Sequence, residues 1–141
     1  MNRTRDSRGS ASLELAILAP GLLLFITVIV FAGRVSIAGQ AVQQAADEAA
    51  REASIARTQT QANNRARSAA ETTLGQQGLE CTSLTVSVDT GGFNRPVGQA
   101  ASVTARVRCP VRLSDLAIPG LPGTRVVIGE AASPIDTYRT R

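Results

Sequence analysis

Gly9 and Glu14 stand five residues apart at the edge of the most apolar stretch of the chain, RGSASLELAILAPGLLLFITVIVFAG, from Arg8 to Gly33. A charged side chain deep in a bilayer costs about 2.5–3.5 kcal/mol on insertion scales, so a carboxylate beside such a stretch prompts a search for function. The bland alternative places Glu14 at the interface, where water and the helix dipole ease its charge. Gly9 offers the peptide bond least shielded by a side chain. Cys81 and Cys109 are the two cysteines of the chain. In an oxidising compartment an even count points to one disulfide, and otherwise they are small apolar residues. Catalysis has little to draw on. The chain has no histidine, so neither a Ser-His pair nor a histidine metal site can form. Its acids are scattered, and no spacing pairs two of them for proton transfer. We expect no enzyme, no metal and no cofactor.

The elements that hold these residues start with the apolar run itself. Leu15 to Gly33 is 19 residues without a charge, followed by Arg34. A hydrocarbon core about 30 Å thick needs about 20 helical residues. The run is longer than a secretory signal core, and no A-x-A site follows it promptly, which favours a retained single-pass anchor. Arg3, Arg5 and Arg8 precede it against Asp6. The excess of positive charge implies a cytoplasmic N-terminus and an extracytoplasmic remainder, with both cysteines outside.

The helical pattern covers residues 13–57, broken only by Pro20 and some glycines. At about 1.5 Å per residue such a helix projects well beyond the bilayer. Its outer part carries Val35, Val42, Ala49 and Ala56 at intervals of seven, with Ala38 and Ala45 between them and Glu52 breaking the second row. Asp47 and Arg51 stand four apart in the favourable acid-first order. The apolar face is mostly alanine, which gains little by burial yet lets another backbone come close. It packs either on the outer domain of its own chain or on identical or related helices.

Residues 58–80 are polar, with a short helix expected from Ala66 to Leu74 and stops at Gly75 and Gly78. The period then changes to two. In LTVSVD, Leu84, Val86 and Val88 share one face. In ASVTARVRCPVRL, every odd position from Ala101 to Leu113 is apolar. Pro110 falls on the outward face and marks an edge or a bulge. Gly91, Gly92, Pro96 and Gly98 form the loop between these strands, and a third strand is expected at Arg125 to Ala131, after an IPGLPG turn at 118–123. If the first two strands are antiparallel, opposed residue numbers must sum to an odd number to keep both apolar sets on one side. Cys81 and Cys109 sum to an even number. Their bond therefore needs either Cys81 ahead of the strand or a bulge that shifts the register.

The net charge is +4, all of the basic residues are arginine, and removing residues 1–9 leaves +2. No basic cluster is interleaved with aromatic residues, so nucleic acid is not an expected partner. LPGTR at 121–125 lacks the final glycine of a cell-wall sorting signal and is read as a turn.

A short basic leader ending in Gly9, four residues, Glu14 and then an apolar run resembles the processing site of type IV prepilins. The stretch from Arg8 to Gly33, with Pro20 after the glutamate, the Ala-rich AADEAAREA and the closing PIDTYR, is similar to TadE-like proteins, the minor pseudopilins of the tight-adherence (Flp/Tad) pilus. The resemblance implies cleavage after Gly9 by a prepilin peptidase, Ser10 as the new N-terminus, and assembly through Glu14 with other pilins or pseudopilins of the system. Classical type IVa pilins have phenylalanine where Ser10 stands. The expected organisation is a leader at 1–9, a transmembrane and stalk helix at 10–57, a connector at 58–80 and an extracytoplasmic antiparallel β domain at 81–141. The expected fold class is α+β: one long N-terminal helix followed by about three strands. A second reading is an extracytoplasmic binding module on an uncleaved signal anchor.

Overall fold

The computed structural model describes residues 8–116 and 122–138. Residues 1–7 of the expected leader, most of the IPGLPG turn and Arg139 of the closing motif lie outside them. The fold is α+β. Helix α1 (Arg8–Ser54) is followed by α2 (Gln59–Gln76), β1 (Thr85–Asp89), a short 3-10 turn at Gly91–Asn94, β2 (Ala101–Arg112), a single turn α3 (Leu113–Leu116) and β3 (Thr124–Ile135). The strands form one antiparallel sheet in the order β1-β2-β3.

Helix α1 is 47 residues long, about 70 Å at the standard rise. It stops at Ser54, three residues short of the expectation, where the Ser54 hydroxyl donates to the Arg51 carbonyl at 2.8 Å. The alanine face is settled by the packing. Ala38, Ala41, Val42, Ala45, Ala46, Ala49, Ala50 and Ala53 are buried against α2 and the sheet of the same chain. Glu52 interrupts the apolar row because it faces α2, where its carboxylate lies 3.7 Å from Arg65. The ion pair at Arg51 runs to Glu48, at 3.7 Å, rather than to Asp47.

Helix α2 is twice as long as expected. Thr58 caps it by accepting from the Gln61 amide at 3.2 Å, and the Gln61 side chain accepts from the Arg57 amide at 3.0 Å. Ala62, Ala66, Ala70 and Leu74, each four residues apart, form its buried stripe. Gly75 lies inside the helix. The stop is Gly78, at φ +65°. The Leu79 amide donates to Leu74 and the Gly78 amide to Gly75, each at 3.1 Å. That is the Schellman arrangement, with Leu79 packed against the core.

In the sheet, Thr85 faces Arg108 and Val86 faces Val107, so opposed numbers sum to an odd number as the apolar patterning requires. Val103, Ala105, Val107, Cys109 and Val111 are buried on the helix side. Pro110 sits in the central strand, opposite Val126 of β3. It is tolerated because its carbonyl, and hence its ring nitrogen, faces the side where β1 has already ended; there it accepts from the Thr82 amide at 2.8 Å. No ladder donor toward β3 is lost. Strand β3 runs to Ile135, four residues past the expected end. Gly129 brings it against α1: a Cβ there would stand 2.5 Å from the Val42 carbonyl oxygen. Flanking this contact, the Gln43 side-chain amide donates to the Glu130 carbonyl at 2.9 Å.

Candidate functional site: the apolar N-terminal helix

Cys81 and Cys109 are joined by a disulfide. Cys81 precedes β1, which is one of the two solutions the strand parity allowed. The bond ties the α2–β1 connection to the central strand and reaches no site. An open, polar groove of about 600 Å³ lies between α1 and α2, lined by Gln44, Glu48, Glu52, Arg65, Thr72 and Gln76 among others. Glu52 pairs with Arg65 there, the Gln77 side-chain amide donates to Gln44 Oε1 at 2.8 Å, and the lining holds neither histidine nor cysteine. Among the described residues no group of three or more His, Cys, Asp or Glu could hold a metal ion.

The conspicuous surface is instead the first half of α1. Gly9 and Ser10 lie in its first turn. Glu14 follows about 6 Å further along the axis than Ser10, on the same helix face, since residues four apart stack one above the other. The Glu14 side chain is exposed. Beyond it, Leu15, Ile17, Leu18, Leu22, Leu23, Leu24 and Phe25 are each at least 60% exposed. This segment has a mean hydropathy of 2.7 over an 18-residue window, with nothing in the chain covering that window. It far exceeds the few hundred Å² of contiguous apolar surface that a soluble monomer leaves bare.

The local chemistry suits a lipid environment. Thr27 is the single polar side chain between Leu15 and Gly33. Its hydroxyl donates to the Leu23 carbonyl at 2.8 Å, so no side-chain donor is left over. Pro20 has no N–H to give the Ala16 carbonyl four residues back, and α1 runs through it without interruption. The segment is thus a candidate membrane span by length and composition. Cover begins just past it. Arg34 is exposed, Val35 is half-buried against the core and Ala38 is buried.

Residues 9–51 match the family model of TadE-like proteins. The match opens at Gly9, spans the apolar run and ends on the Ala-rich face that packs under the sheet. Over that third of the chain the protein is similar to TadE-like proteins, which is consistent with a component of Tad pilus systems. No curated protein and no solved structure matches the chain significantly.

Two features of the assembled molecule had no expectation attached. One is the close approach of Gly129 to α1. A lone glycine between apolar residues in VVIGEA was its only sequence signal. The other is the level of the sheet along α1, which depends on how β3 docks and leaves no local trace.

Proposed function

We propose that the protein is a minor pseudopilin or pilus-assembly protein of a Tad-type system, trimmed after Gly9 by a prepilin peptidase and assembled through its N-terminal helix. The observation that carries this reading is the coincidence of the TadE-like match, which opens at Gly9, with a bare apolar helix that holds Gly9 and Ser10 in its first described turn. Such a helix needs lipid first and other helices later. In this reading the N-terminus starts in the cytoplasm, residues 1–9 are a leader, residues 10–57 are span and stalk, and the rest is extracytoplasmic.

Cleavage would remove Arg3, Arg5 and Arg8 and free an α-amino group at Ser10. Glu14 sits about 6 Å further along the same helix. A carboxylate on one subunit can offset the amine of a neighbour if the two helices are staggered by about that distance. In a desolvated bundle such a pair adds little net stability, but removing one partner costs roughly 3–5 kcal/mol, so it fixes the stagger more than it strengthens the contact. The role is one of assembly, with other pilins or pseudopilins as partners, and not catalysis.

Mass spectrometry of the N-terminus of protein taken from its native membrane tests the reading. A mature chain that starts at Ser10 is expected. Retention of residues 1–9 would favour the uncleaved anchor and refute the processing step.

A further inference from the structure

The sheet of the outer domain reaches down to the level where α1 leaves the apolar segment. Gly129 meets α1 at Val42, and Ser133 bonds Ser54 through their hydroxyls at 3.1 Å. Strand β3 therefore runs in the same sense as α1, away from the span. Val42 lies about 13 Å along the helix from Gly33. Going back from Gly129 to Arg125 covers about 13 Å of strand in the opposite sense. Allowing for the tilt between strand and helix, Arg125 and its ladder partners stand within a few Å of the level of Arg34. The half-buried state of Val35 and the contact of α3 with α1 agree with this placement.

What gathers at that end is of one kind. Arg112 faces Thr124, Val111 faces Arg125, Pro110 faces Val126 and Arg108 faces Ile128. Val126 and Ile128 are 46% and 54% exposed, on the sheet face turned away from the helices. Arg108 and Arg112 share that outward face, Arg125 stands beside Val111 on the other side of the same sheet end, and Arg34 of α1 makes a fourth arginine at this rim. Asp115 lies 3.6 Å from Arg112 and offsets one of these charges. Positive charge is in excess, and the aliphatic groups point outward beside it. Long cationic stems over apolar groups suit the boundary between water and lipid headgroups.

We infer that this rim, formed by Arg34, Arg108, Arg112, Arg125, Val126 and Ile128, is a docking surface for anionic lipid headgroups, which holds the outer domain against the membrane before assembly. The inference rests on the reading of α1 as a membrane span. Anionic lipid is the fitting occupant because the rim is continuous with that span and complementary to phosphate in charge. Each arginine near such a surface shifts the balance between docked and free domain by about fivefold.

The test uses the full chain reconstituted in phosphatidylcholine vesicles with and without one third phosphatidylglycerol. Single cysteines replace Phe25, Ile128 or Val97, the native pair being bonded, and carry a spin label. Its collisions with oxygen and with a water-soluble nickel chelate report depth. A label at Phe25 should be lipid-like throughout. One at Ile128 should move to headgroup depth in anionic vesicles only. One at Val97 should stay in water. Arg108→Gln, Arg112→Gln and Arg125→Gln together should return the Ile128 label to water, a loss of about a hundredfold in the docked ratio. Water-like behaviour at Ile128 in anionic vesicles, or indifference to the three substitutions, overturns the inference. So does close coupling between Ile128 labels of two copies without lipid contact, which would assign the rim to a second copy. A water-exposed Phe25 label would instead overturn the membrane reading, and the inference with it.

Discussion

Replacing Gly129 by alanine should be among the most damaging single-methyl changes in this protein. The added Cβ would stand 2.5 Å from the Val42 carbonyl oxygen, 2.8 Å from its carbon and 2.9 Å from the Gln43 Cα. All three are backbone atoms of a helix, so none can swing aside. Ordinary contact distances are about 3.5–4.0 Å, so sheet and helix must part by about 1 Å. Overpacking of this kind costs typically 1–3 kcal/mol. The opened seam also weakens the flanking Gln43–Glu130 bond, worth about 1 kcal/mol. The expected loss is about 2–4 kcal/mol. Gly39→Ala is the matched control, because nothing lies within 4 Å of a Cβ there and it sits in the same helix. That change should stabilise by about 0.5–1 kcal/mol through helix propensity. The assay is urea unfolding in detergent micelles with the disulfide intact, followed by far-UV circular dichroism. The apolar half of α1 stays helical in the micelle, so the signal reports the outer domain. A Gly129→Ala protein within about 0.5 kcal/mol of the parent would refute the close-approach argument, as would equal damage from Gly39→Ala.

Reducing the Cys81–Cys109 bond, which closes a separation of 28 residues, should lower stability by about 3–4 kcal/mol in the chain-entropy model; alkylation of both thiols in unreduced, denatured protein would contradict the pairing. Gly9→Val should insert normally but remain untrimmed, as read by the mass of the membrane-bound chain, because the span and its basic flank are unchanged. Glu14→Gln should insert and be trimmed yet be lost from crosslinked assemblies, with Glu14→Asp partly defective; wild-type recovery of trimmed Glu14→Gln would reduce Glu14 to an interfacial residue. Thr58→Ala should cost about 1 kcal/mol by removing the cap of α2, measured by the same urea titration.

The sheet was legible because its patterning is rigid. Alternation in ASVTARVRC leaves one way to bury Val103, Val107 and Cys109 together, and that choice sets the parity of the pairing with β1, while the particular register is set by the fold. The length of α2 was legible in principle. Thr58 and Gln61 at capping-box spacing, with Ala62, Ala66, Ala70 and Leu74 in one stripe, outweigh the turn signal of Gly75, which costs a helix only about 1 kcal/mol. Pro110 reads as an edge residue because a sequence shows the missing donor but not which neighbour would have needed it. In the structure β1 ends before it, so a central strand is locally an edge. The choice between an intramolecular and an intermolecular partner for the alanine face was closed to sequence, since alanine favours close approach of any backbone. It was decided by the complementary gap at Gly129 on β3. Gly9 and Glu14 are the reverse case: their spacing is plain in the sequence, while the roles proposed for them would be played out with a peptidase and with neighbouring subunits, which one chain does not carry.

Helix α1 passes from the apolar segment into the domain without a break, and the sheet is clamped to its last turns. The span and the domain therefore share one angular phase. Each residue added between Arg34 and Val35 would turn the domain about 100° around the axis and lift it about 1.5 Å. One extra residue would point the arginine rim elsewhere at nearly the same height. Seven would bring it almost back to its bearing, about 10 Å further from the bilayer. The number of residues between Glu14 and Val42 is in that sense a gear setting. In the proposed assembly it would fix which face of the domain looks toward a neighbour when the helices come into step.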